Sequence, residues 1–239
     1  MASTAYFRFH GNLNDFLPKN KKNTLVAYSF WGTPSVKDAI ESLGVPHVEA
    51  YKILINDHPS DFSTLIKDQD LIQVFPSPGY EESMMVTWPY RFVLDVHLGK
   101  LARLLRLTGF DTVYENHYND HIIAEISASE NRMVLSRDIG LLKHKKIQYG
   151  YWLRSQDPET QLKEIIDRFR LKDHFKPFSR CIKCNGIIAS VPKEEVMEAL
   201  PTDTKLVFNE FFQCKSCRQV YWEGSHYERM LRWIKEFGN

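Results

Sequence analysis

The sequence feature that most limits the possible folds of this chain is a repeated pattern between Arg91 and Asp138, in which short apolar runs lead to an aspartate. Phe92-Val93-Leu94 is followed directly by Asp95, and Met133-Val134-Leu135 is followed after two residues by Asp138. Short, wholly apolar runs are typical of strands that are buried on both faces of a parallel sheet. Both aspartates are therefore predicted to lie at the carboxyl ends of buried strands.

Helix signals between these runs complete an alternating pattern over residues 89–176. A helix is predicted from about Leu98 to a stop at Gly109, a second strand over Asp111–Tyr114, and a further helix that begins at Asp120. The later predicted elements are a short helix at residues 141–143, a fourth strand at 147–153 and a last helix begun by Asp157 and Pro158. Strands that alternate with helices predict an α/β domain with a parallel sheet.

The aspartates form a candidate metal site. Ligands of an open parallel sheet bind beyond the carboxyl ends of its strands, and Asp95, Asp120 and Asp138 can all face that edge. Three adjacent carboxylates repel one another unless a divalent cation lies between them, and hard oxygen ligands select Mg²⁺ or Mn²⁺. Such a cation activates water and stabilises a leaving oxygen in phosphoryl chemistry. Asp111 begins its strand, so we expect it to face away from this edge.

Each of the three aspartates also has a structural interpretation. Asp120 suits the N-cap of the helix that follows it. Asp138 could form an ion pair with the neighbouring arginine or cap the next helix. Asp95 is harder to explain in this way, because burial of a carboxylate without a partner is costly.

Basic residues close to the aspartates could contact the phosphate groups of a substrate. Lys100, Arg103 and Arg106 lie on the predicted helix after the first strand, and Arg137 directly precedes the last aspartate. A solvated helix face is the alternative for the first three. Residues 89–176 carry 15 Lys and Arg against 12 Asp and Glu, in a chain whose net charge is +1, and this local excess favours an anionic substrate. His97 could approach such a substrate, although an aspartate metal site does not require a histidine.

All four cysteines lie in the last quarter of the chain, as two Cys-x-x-Cys pairs separated by 29 residues (214 − 184 − 1). Cys181, Cys184, Cys214 and Cys217 provide four thiolates for a tetrahedral, structural Zn²⁺ site. A redox role is disfavoured, because thioredoxin-like pairs precede a helix in a βαβ unit. Aromatic and basic residues around the pairs could stack and hold single-stranded RNA. They are Phe211, Phe212, Lys215, Arg218, Tyr221 and Trp222.

The N-terminal residues 1–79 have the signals of a small α+β domain. Ser35 can cap a helix over Val36–Leu43, which Gly44 ends, and β-rich runs lie on both sides of it. Their order resembles the β-grasp fold of ubiquitin-like sulfur carriers. Those carriers end in a free Gly-Gly, whereas this segment continues through a predicted linker at residues 77–88, so we interpret it as an interaction or substrate-guiding module.

No membrane-spanning segment and no membrane partner are predicted, because no uncharged apolar run approaches the roughly 18 residues that a span needs. The first residues also lack the basic start and apolar stretch of a secretory signal. A cytoplasmic location is therefore expected, and a reducing compartment agrees with cysteines that bind a metal. The oligomeric state is not predicted.

The motifs between residues 90 and 236, taken together, resemble the Mut-seven C-terminal ribonuclease family, whose catalytic domain has a PIN-like fold. The similarity follows the run from Phe92 to Arg106, the Asn119-Asp120 pair, the run from Arg132 to Asp138, both cysteine pairs and the segment from Tyr221 to His226. A ubiquitin-like extension is a known companion of this domain. Ser136 stands where the family usually has threonine, a change that keeps a hydroxyl group.

The resemblance implies metal-dependent cleavage of RNA, with Asp95, Asp120 and Asp138 as the acidic cluster. A PIN-like nuclease leaves 5′-phosphate and 3′-hydroxyl ends. Many such nucleases have a fourth acid, and Asp157 and Glu159 are the nearest candidates, so the number of catalytic metals stays open.

The prediction is an α/β PIN-like parallel sheet at residues 89–176, preceded by a β-grasp α+β domain at 1–79 and followed by a zinc ribbon at 177–239. Its predicted function is Mg²⁺- or Mn²⁺-dependent hydrolysis of RNA with single-stranded regions. The alternatives are a non-catalytic RNA-binding or adaptor protein that uses the zinc ribbon and β-grasp domain and, less favoured, a sulfur-transfer accessory. Which RNA is cut, and whether from an end or internally, is not predicted.

Overall fold

A computed structural model describes residues 2–76 and 90–238. The described residues divide into two compact units, one formed by residues 2–76 and 120–152 and the other by residues 90–119 and 153–238. The predicted linker at residues 77–88 lies outside the described residues. None of the described helices combines the length and the apolar character that crossing a membrane requires.

The N-terminal part of the first unit is a five-stranded sheet with one helix packed on it. Its strands, in the spatial order β2-β1-β5-β3-β4, are β1 (Ser3–Phe9), β2 (Val26–Phe30), β3 (Ala50–Ile55), β4 (His58–Ser60) and β5 (Leu71–Pro76). β1 pairs antiparallel with β2 and parallel with β5, and β3 pairs antiparallel with β4 and β5. This arrangement agrees with the predicted β-grasp fold.

The helix of this part is α1 (Val36–Ser42), and it begins as the sequence predicts. Ser35 accepts a hydrogen bond from the backbone N–H of Asp38, and the Asp38 carboxylate accepts one in return from the backbone of Ser35. Buried Val36 and Ile40 then face the apolar side of the sheet. The apolar face of the helix, with its period of 3.6 residues, and the apolar face of the sheet, with its period of two, therefore form one core.

The sequence-based prediction did not include β4. Asn56 and Asp57 both have positive φ angles, 49° and 66°, and they turn the chain tightly from β3 into β4. Asn and Asp tolerate the left-handed conformation better than other residues with a side chain, which suits a two-residue hairpin turn.

The first unit also contains α3 (Asp120–Glu130), β8 (Met133–Ser136), α4 (Ile139–Leu142) and β9 (Gly150–Trp152). β8 and β9 pair in parallel, with Ser136 opposite Trp152. All four residues of β8 are buried, as its apolar sequence predicts. β9 starts later than predicted, because Ile147 closes a turn by donating its N–H to the carbonyl of His144.

The second unit begins with β6 (Arg91–Leu94), a short 3-10 helix at Val96–Leu98, α2 (Gly99–Leu107) and β7 (Asp111–Val113). β6 and β7 pair in parallel. α5 (Pro158–Phe169) belongs to the same unit and packs against α2. Two parallel strand pairs and the helices after them agree with the predicted α/β class.

The second unit also contains a 3-10 helix at Leu171–His174 and the cysteine module, residues 177–238. A three-stranded antiparallel sheet, in the order β10-β11-β12, forms from β10 (Ile188–Val191), β11 (Phe211–Cys214) and β12 (Val220–Trp222). Two short helices, α6 (Lys193–Val196) and α7 (Thr202–Val207), connect β10 to β11, and α8 (Ser225–Gly238) ends the module. The long spacer between the cysteine pairs is therefore folded. Its residues Val196 and Leu200 pack with Phe211 in a small core.

Candidate functional site

Asp95 lies directly after β6 and is only 7% exposed. The three residues before it, Phe92, Val93 and Leu94, are buried, so the aspartate lies at the end of a buried strand. The backbone carbonyl of Asp95 accepts a hydrogen bond of 2.9 Å from the N–H of Leu98, which starts the turn into α2. The structure thus gives Asp95 the buried strand-end position that the sequence predicts.

Tyr114 fixes the turn that follows Asp95. Its hydroxyl donates a 2.9 Å hydrogen bond to the carbonyl of Val96. Gly99 leaves room for this contact, because a Cβ atom at that position would lie 2.7 Å from the tyrosine oxygen. The glycine therefore has a packing role, and any larger residue there would displace the tyrosine.

Asp138 lies two residues beyond β8 and caps α4. Its Oδ1 accepts a hydrogen bond of 2.6 Å from the N–H of Gly140, and its own N–H donates one of 2.8 Å to the hydroxyl of Ser136. Ser136 is fully buried at the end of the strand. The predicted capping role of Asp138 is therefore present, but an ionised carboxylate has two oxygens and about four acceptor sites, so a cap does not use them all.

The turn between Ser136 and Asp138 is also held from β9. The indole Nε1–H of Trp152 donates a 3.2 Å hydrogen bond to the carbonyl of Arg137, whose side chain is exposed. Sequence reasoning missed Trp152, because its contact depends on the parallel pairing of two strands that are 16 residues apart in the register Ser136–Trp152.

Asp120 is the first residue of α3 and is exposed. It belongs to the same compact unit as Asp138, whereas Asp95 belongs to the other unit. The meeting of the three carboxylates around one cation stays a prediction.

The three basic residues of α2 differ in their surroundings. Lys100 and Arg103 are exposed, whereas Arg106 is only 5% exposed. The Arg106 guanidinium donates hydrogen bonds of 3.0–3.2 Å to the backbone carbonyls of Thr112, Ile182 and Lys183. Burial lowers the pKa of Arg106, while nearby Glu115 and the thiols of Cys184 and Cys181 oppose that shift. The side chain that was predicted to contact phosphate thus holds the first cysteine pair against β7.

Asp111 makes the second attachment of the cysteine module. Its carboxylate accepts hydrogen bonds from the amide of Asn185, at 2.7 Å, and from Arg180, at 3.3 Å. The side-chain oxygen of Asn185 accepts a bond from the N–H of Thr112. The aspartate at the amino end of β7 therefore has a structural role.

Asp157, a candidate for the fourth acid, caps α5. One carboxylate oxygen accepts hydrogen bonds of 2.8 Å from both the N–H and the hydroxyl of Thr160, and these bonds lower the pKa of Asp157. Its neighbour Glu159 is exposed in the first turn.

The four cysteines come together in the cysteine module, with all four sulfur atoms within 4.8 Å of one another. Sγ of Cys181 is 3.6 Å from Sγ of Cys217, and Sγ of Cys184 is 3.4 Å from Sγ of Cys214. Zn–S bonds of about 2.3 Å in a tetrahedron place sulfur atoms roughly 3.8 Å apart, whereas a disulfide needs about 2.05 Å. The cluster therefore has dimensions that suit a metal such as zinc.

The two cysteine pairs have the same backbone turn. The N–H of the first cysteine, Cys181 or Cys214, donates to the carbonyl five residues later, and its carbonyl accepts from the N–H four residues later. The residues whose N–H groups donate to these carbonyls are Asn185 and Arg218, which have positive φ angles of 67° and 62°. Two copies of one tight turn thus aim four sulfur atoms at a common centre.

The electrostatics of the cluster favour a bound cation. Burial raises the pKa of the Cys184 thiol to about 12, and the neighbouring sulfur atoms add to this rise. Burial also opposes ionisation of Cys181, but hydrogen bonds from the Tyr221 hydroxyl and from the backbone N–H of Cys184 bring the pKa of Cys181 down to about 7. One thiolate is thus readily formed, and several together need a positive charge among them.

A cavity of about 630 Å³ lies in the cysteine module beside these turns. Three of the residues predicted to stack with RNA line it, namely Phe212, Tyr221 and Trp222, whereas Phe211 is buried in the module's core. The rings of Phe178 and Tyr227 also line it, with their centroids 4.3 Å apart. Its size and aromatic lining suit a planar, apolar ligand group.

These elements describe an α/β protein with an N-terminal β-grasp sheet and a four-cysteine cluster. A family model described as Mut7-C RNAse domain matches residues 90–234, and one described as Mut7-C ubiquitin matches residues 2–81. The chain therefore belongs to the Mut7-C RNAse domain family, and the predicted ubiquitin-like extension is confirmed. A search of curated proteins gave no match, and neither did a search of solved structures.

Proposed function

We propose that this protein is a ribonuclease that hydrolyses phosphodiester bonds of RNA at a site built from Asp95, Asp120 and Asp138. The observation that carries the proposal is the position of Asp95, a buried carboxylate at the carboxyl end of a parallel strand in a chain of a ribonuclease family. Such edges of parallel sheets are where ligands bind. The proposed fold of this part is PIN-like.

The donor atoms fit the proposed cation, because carboxylate oxygens are the ligands that Mg²⁺ and Mn²⁺ prefer. Asp95, Asp120 and Asp138 would hold it, and it would supply an activated water and stabilise charge on the leaving oxygen. The N–H of Gly140 donates to the Asp138 carboxylate, and the Ser136 hydroxyl accepts from the backbone N–H of the same aspartate.

Arg137, Lys100 and Arg103 are the proposed phosphate contacts, because all three are exposed. The guanidinium of Arg106 already donates to backbone carbonyls, so its predicted phosphate contact would have to displace them. Water adds across the P–O bond, and 5′-phosphate and 3′-hydroxyl ends are the products that the PIN-like fold implies.

The proposed role of the cysteine module is to bind one structural Zn²⁺ as a zinc ribbon and to hold single-stranded RNA. Its aromatic cavity provides rings on which unpaired bases can stack, and stacking contributes about 1–3 kcal/mol per base. The proposal includes a reducing, cytoplasmic location, in which the four free cysteines would remain reduced and able to bind a metal.

Cleavage of single-stranded and structured RNAs, with Mn²⁺ and with EDTA, tests the catalytic proposal. Asp95→Asn and Asp138→Asn should each lower kcat by at least about 100-fold, because loss of a ligand removes several kcal/mol of charge stabilisation. Asp167→Asn, at an exposed acid on α5, is the matched control and should keep full activity. Cleavage in EDTA, or full activity of both site variants, would contradict the mechanism.

The second candidate function is RNA binding without cleavage, which the aromatic cavity favours. In that case the wild-type protein binds single-stranded RNA and leaves it intact under every metal condition. Trp222→Ala separates the two roles of the module. It should weaken RNA binding about 5- to 100-fold by loss of one stacking ring, with zinc content unchanged.

A further inference from the structure

The ubiquitin-like part of the chain contacts the segment from Asp138 to Trp152 at successive points. The ammonium of Lys143, at the end of α4, donates a 2.6 Å hydrogen bond to the carbonyl of Glu41. The Nε2 atom of buried His47 lies 2.9 Å from the carbonyl of Ile147. Both contacts lie within one compact unit.

The same line of contacts continues to the end of β9. Gly150 packs so closely on Val48 that a Cβ atom at the glycine would lie 3.0 Å from the valine side chain. The carboxylate of Glu49 then accepts a 2.7 Å hydrogen bond from the backbone N–H of Trp152. The contacts thus run in the same order along residues 41–49 and along residues 143–152, which indicates a specific docking surface.

Glu49 indicates that this surface holds the two segments in one fixed arrangement and does not merely connect them. Its side chain is only 2% exposed, and a buried carboxylate is costly unless hydrogen bonds satisfy it. A flexible tether would not require an acid in such a position. A structural element that must hold the backbone of Trp152 in one place does require an acceptor there.

Trp152 connects this surface to the turn that carries Arg137 and Asp138. Its ring packs on Phe16 of the ubiquitin-like part, with centroids 4.9 Å apart, and its backbone is held by Glu49. On its other side, the indole N–H donates to the carbonyl of Arg137. The ubiquitin-like part therefore fixes both the ring and the backbone of the residue that fixes this turn.

We propose that the ubiquitin-like part is a built-in positioning module for the Arg137–Asp138 turn, and that Trp152 is the positioning residue through which it acts. The inference rests on the proposed function, because the turn carries a proposed metal ligand and a proposed phosphate contact. Loss of the indole hydrogen bond would let the Arg137 carbonyl rotate. The carboxylate and the guanidinium would then lose their shared orientation while the fold remains.

Trp152→Phe tests this step, since phenylalanine keeps an aromatic ring but has no indole N–H donor. We expect kcat to fall about tenfold, as for the loss of an outer partner that orients a metal ligand. Hydrogen–deuterium exchange of residues 137–140 should become faster, because their hydrogen bonds open more often. Trp31→Phe, at a largely exposed tryptophan of the same part, is the matched control and should change neither measurement.

Glu49→Gln and Glu49→Ala test the origin of the effect. Glutamine keeps a side-chain oxygen that can accept from Trp152, so its kcat and exchange rates should stay within about threefold of wild type, whereas alanine should behave like Trp152→Phe. Unchanged kcat and unchanged exchange at residues 137–140 in both Trp152→Phe and Glu49→Ala would overturn the proposal. If wild type does not cleave RNA, the proposed function fails, and the exchange measurement alone decides whether Trp152 positions the turn.

Discussion

The cysteine module and the ubiquitin-like part are attached to the segment between them, residues 90–176, in opposite ways. At the cysteine module, residues 90–176 supply the side chains. Arg106 donates hydrogen bonds to backbone carbonyls of the first cysteine turn, and Asp111 accepts one from the side chain of Asn185. At the other attachment, the ubiquitin-like part supplies the side chains. His47 and Glu49 form hydrogen bonds with backbone groups of Ile147 and Trp152. The side chains thus come from opposite partners.

This difference indicates what each attachment depends on. Two of the carbonyls to which Arg106 donates, those of Ile182 and Lys183, belong to a cysteine turn, whose geometry would depend on the proposed metal. His47 and Glu49 belong to the ubiquitin-like part, which folds around a hydrophobic core that includes Phe7, Ile40 and Ile72. One attachment should therefore be sensitive to metal, and the other should be sensitive to packing.

Removal of the metal should have the largest effect, and it should affect only the attachment of the cysteine module. Purified protein should contain about one zinc per chain, and Cys214→Ser or a chelator should unfold the cysteine module, since structural zinc contributes an apparent 10–16 kcal/mol or so in zinc-finger peptides. Amide exchange of residues 211–222 should become fast. Exchange of residues 147–152 should stay slow, because their contacts lie in the other unit. A metal-free protein of unchanged stability would refute the zinc site.

Arg106→Ala should have the next largest effect, about 3 kcal/mol in the free energy of unfolding, because the backbone carbonyls of Thr112, Ile182 and Lys183 lose a charged donor. Arg103→Ala, on an exposed position of the same helix, should stay within about 0.5 kcal/mol of wild type. Urea denaturation of both variants measures the difference. Equal stability of the two would mean that the guanidinium does not hold the cysteine turn.

Phe16→Ala should weaken the attachment of the ubiquitin-like part by about 1–2 kcal/mol, since the ring loses its contact with Trp152 and part of its burial. Zinc content should not change, and exchange of residues 137–140 should rise as in Trp152→Phe. The exposed Trp31→Ala is the control. A drop in zinc content would show that the two attachments are not independent.

The sequence could predict those features that depend on local pattern. The apolar run before Asp95 and the cap of α1 are set within a few residues, and the structure has both. The burial of Arg106 could not be predicted, because the segment that covers it follows 76 residues later in the chain. Trp152 was missed for the same reason, since only the pairing of β8 with β9 brings it to Arg137.

Mild acid should have the smallest effect and should act on the ubiquitin-like attachment. Burial, with nearby Lys37, lowers the pKa of His47 below its ordinary 6.5, and the Ile147 carbonyl and Glu41 oppose this only in part. The unfolded chain then binds the proton more tightly than the folded one, so this contribution to stability is full above pH 6.5 and is lost as the pH falls through the lowered pKa. The urea midpoint of wild type should therefore fall more between pH 7 and pH 5 than that of His47→Asn, which cannot titrate there. Equal pH profiles of the two proteins would show that protonation of His47 does not loosen this surface, and its attachment would then depend on packing alone.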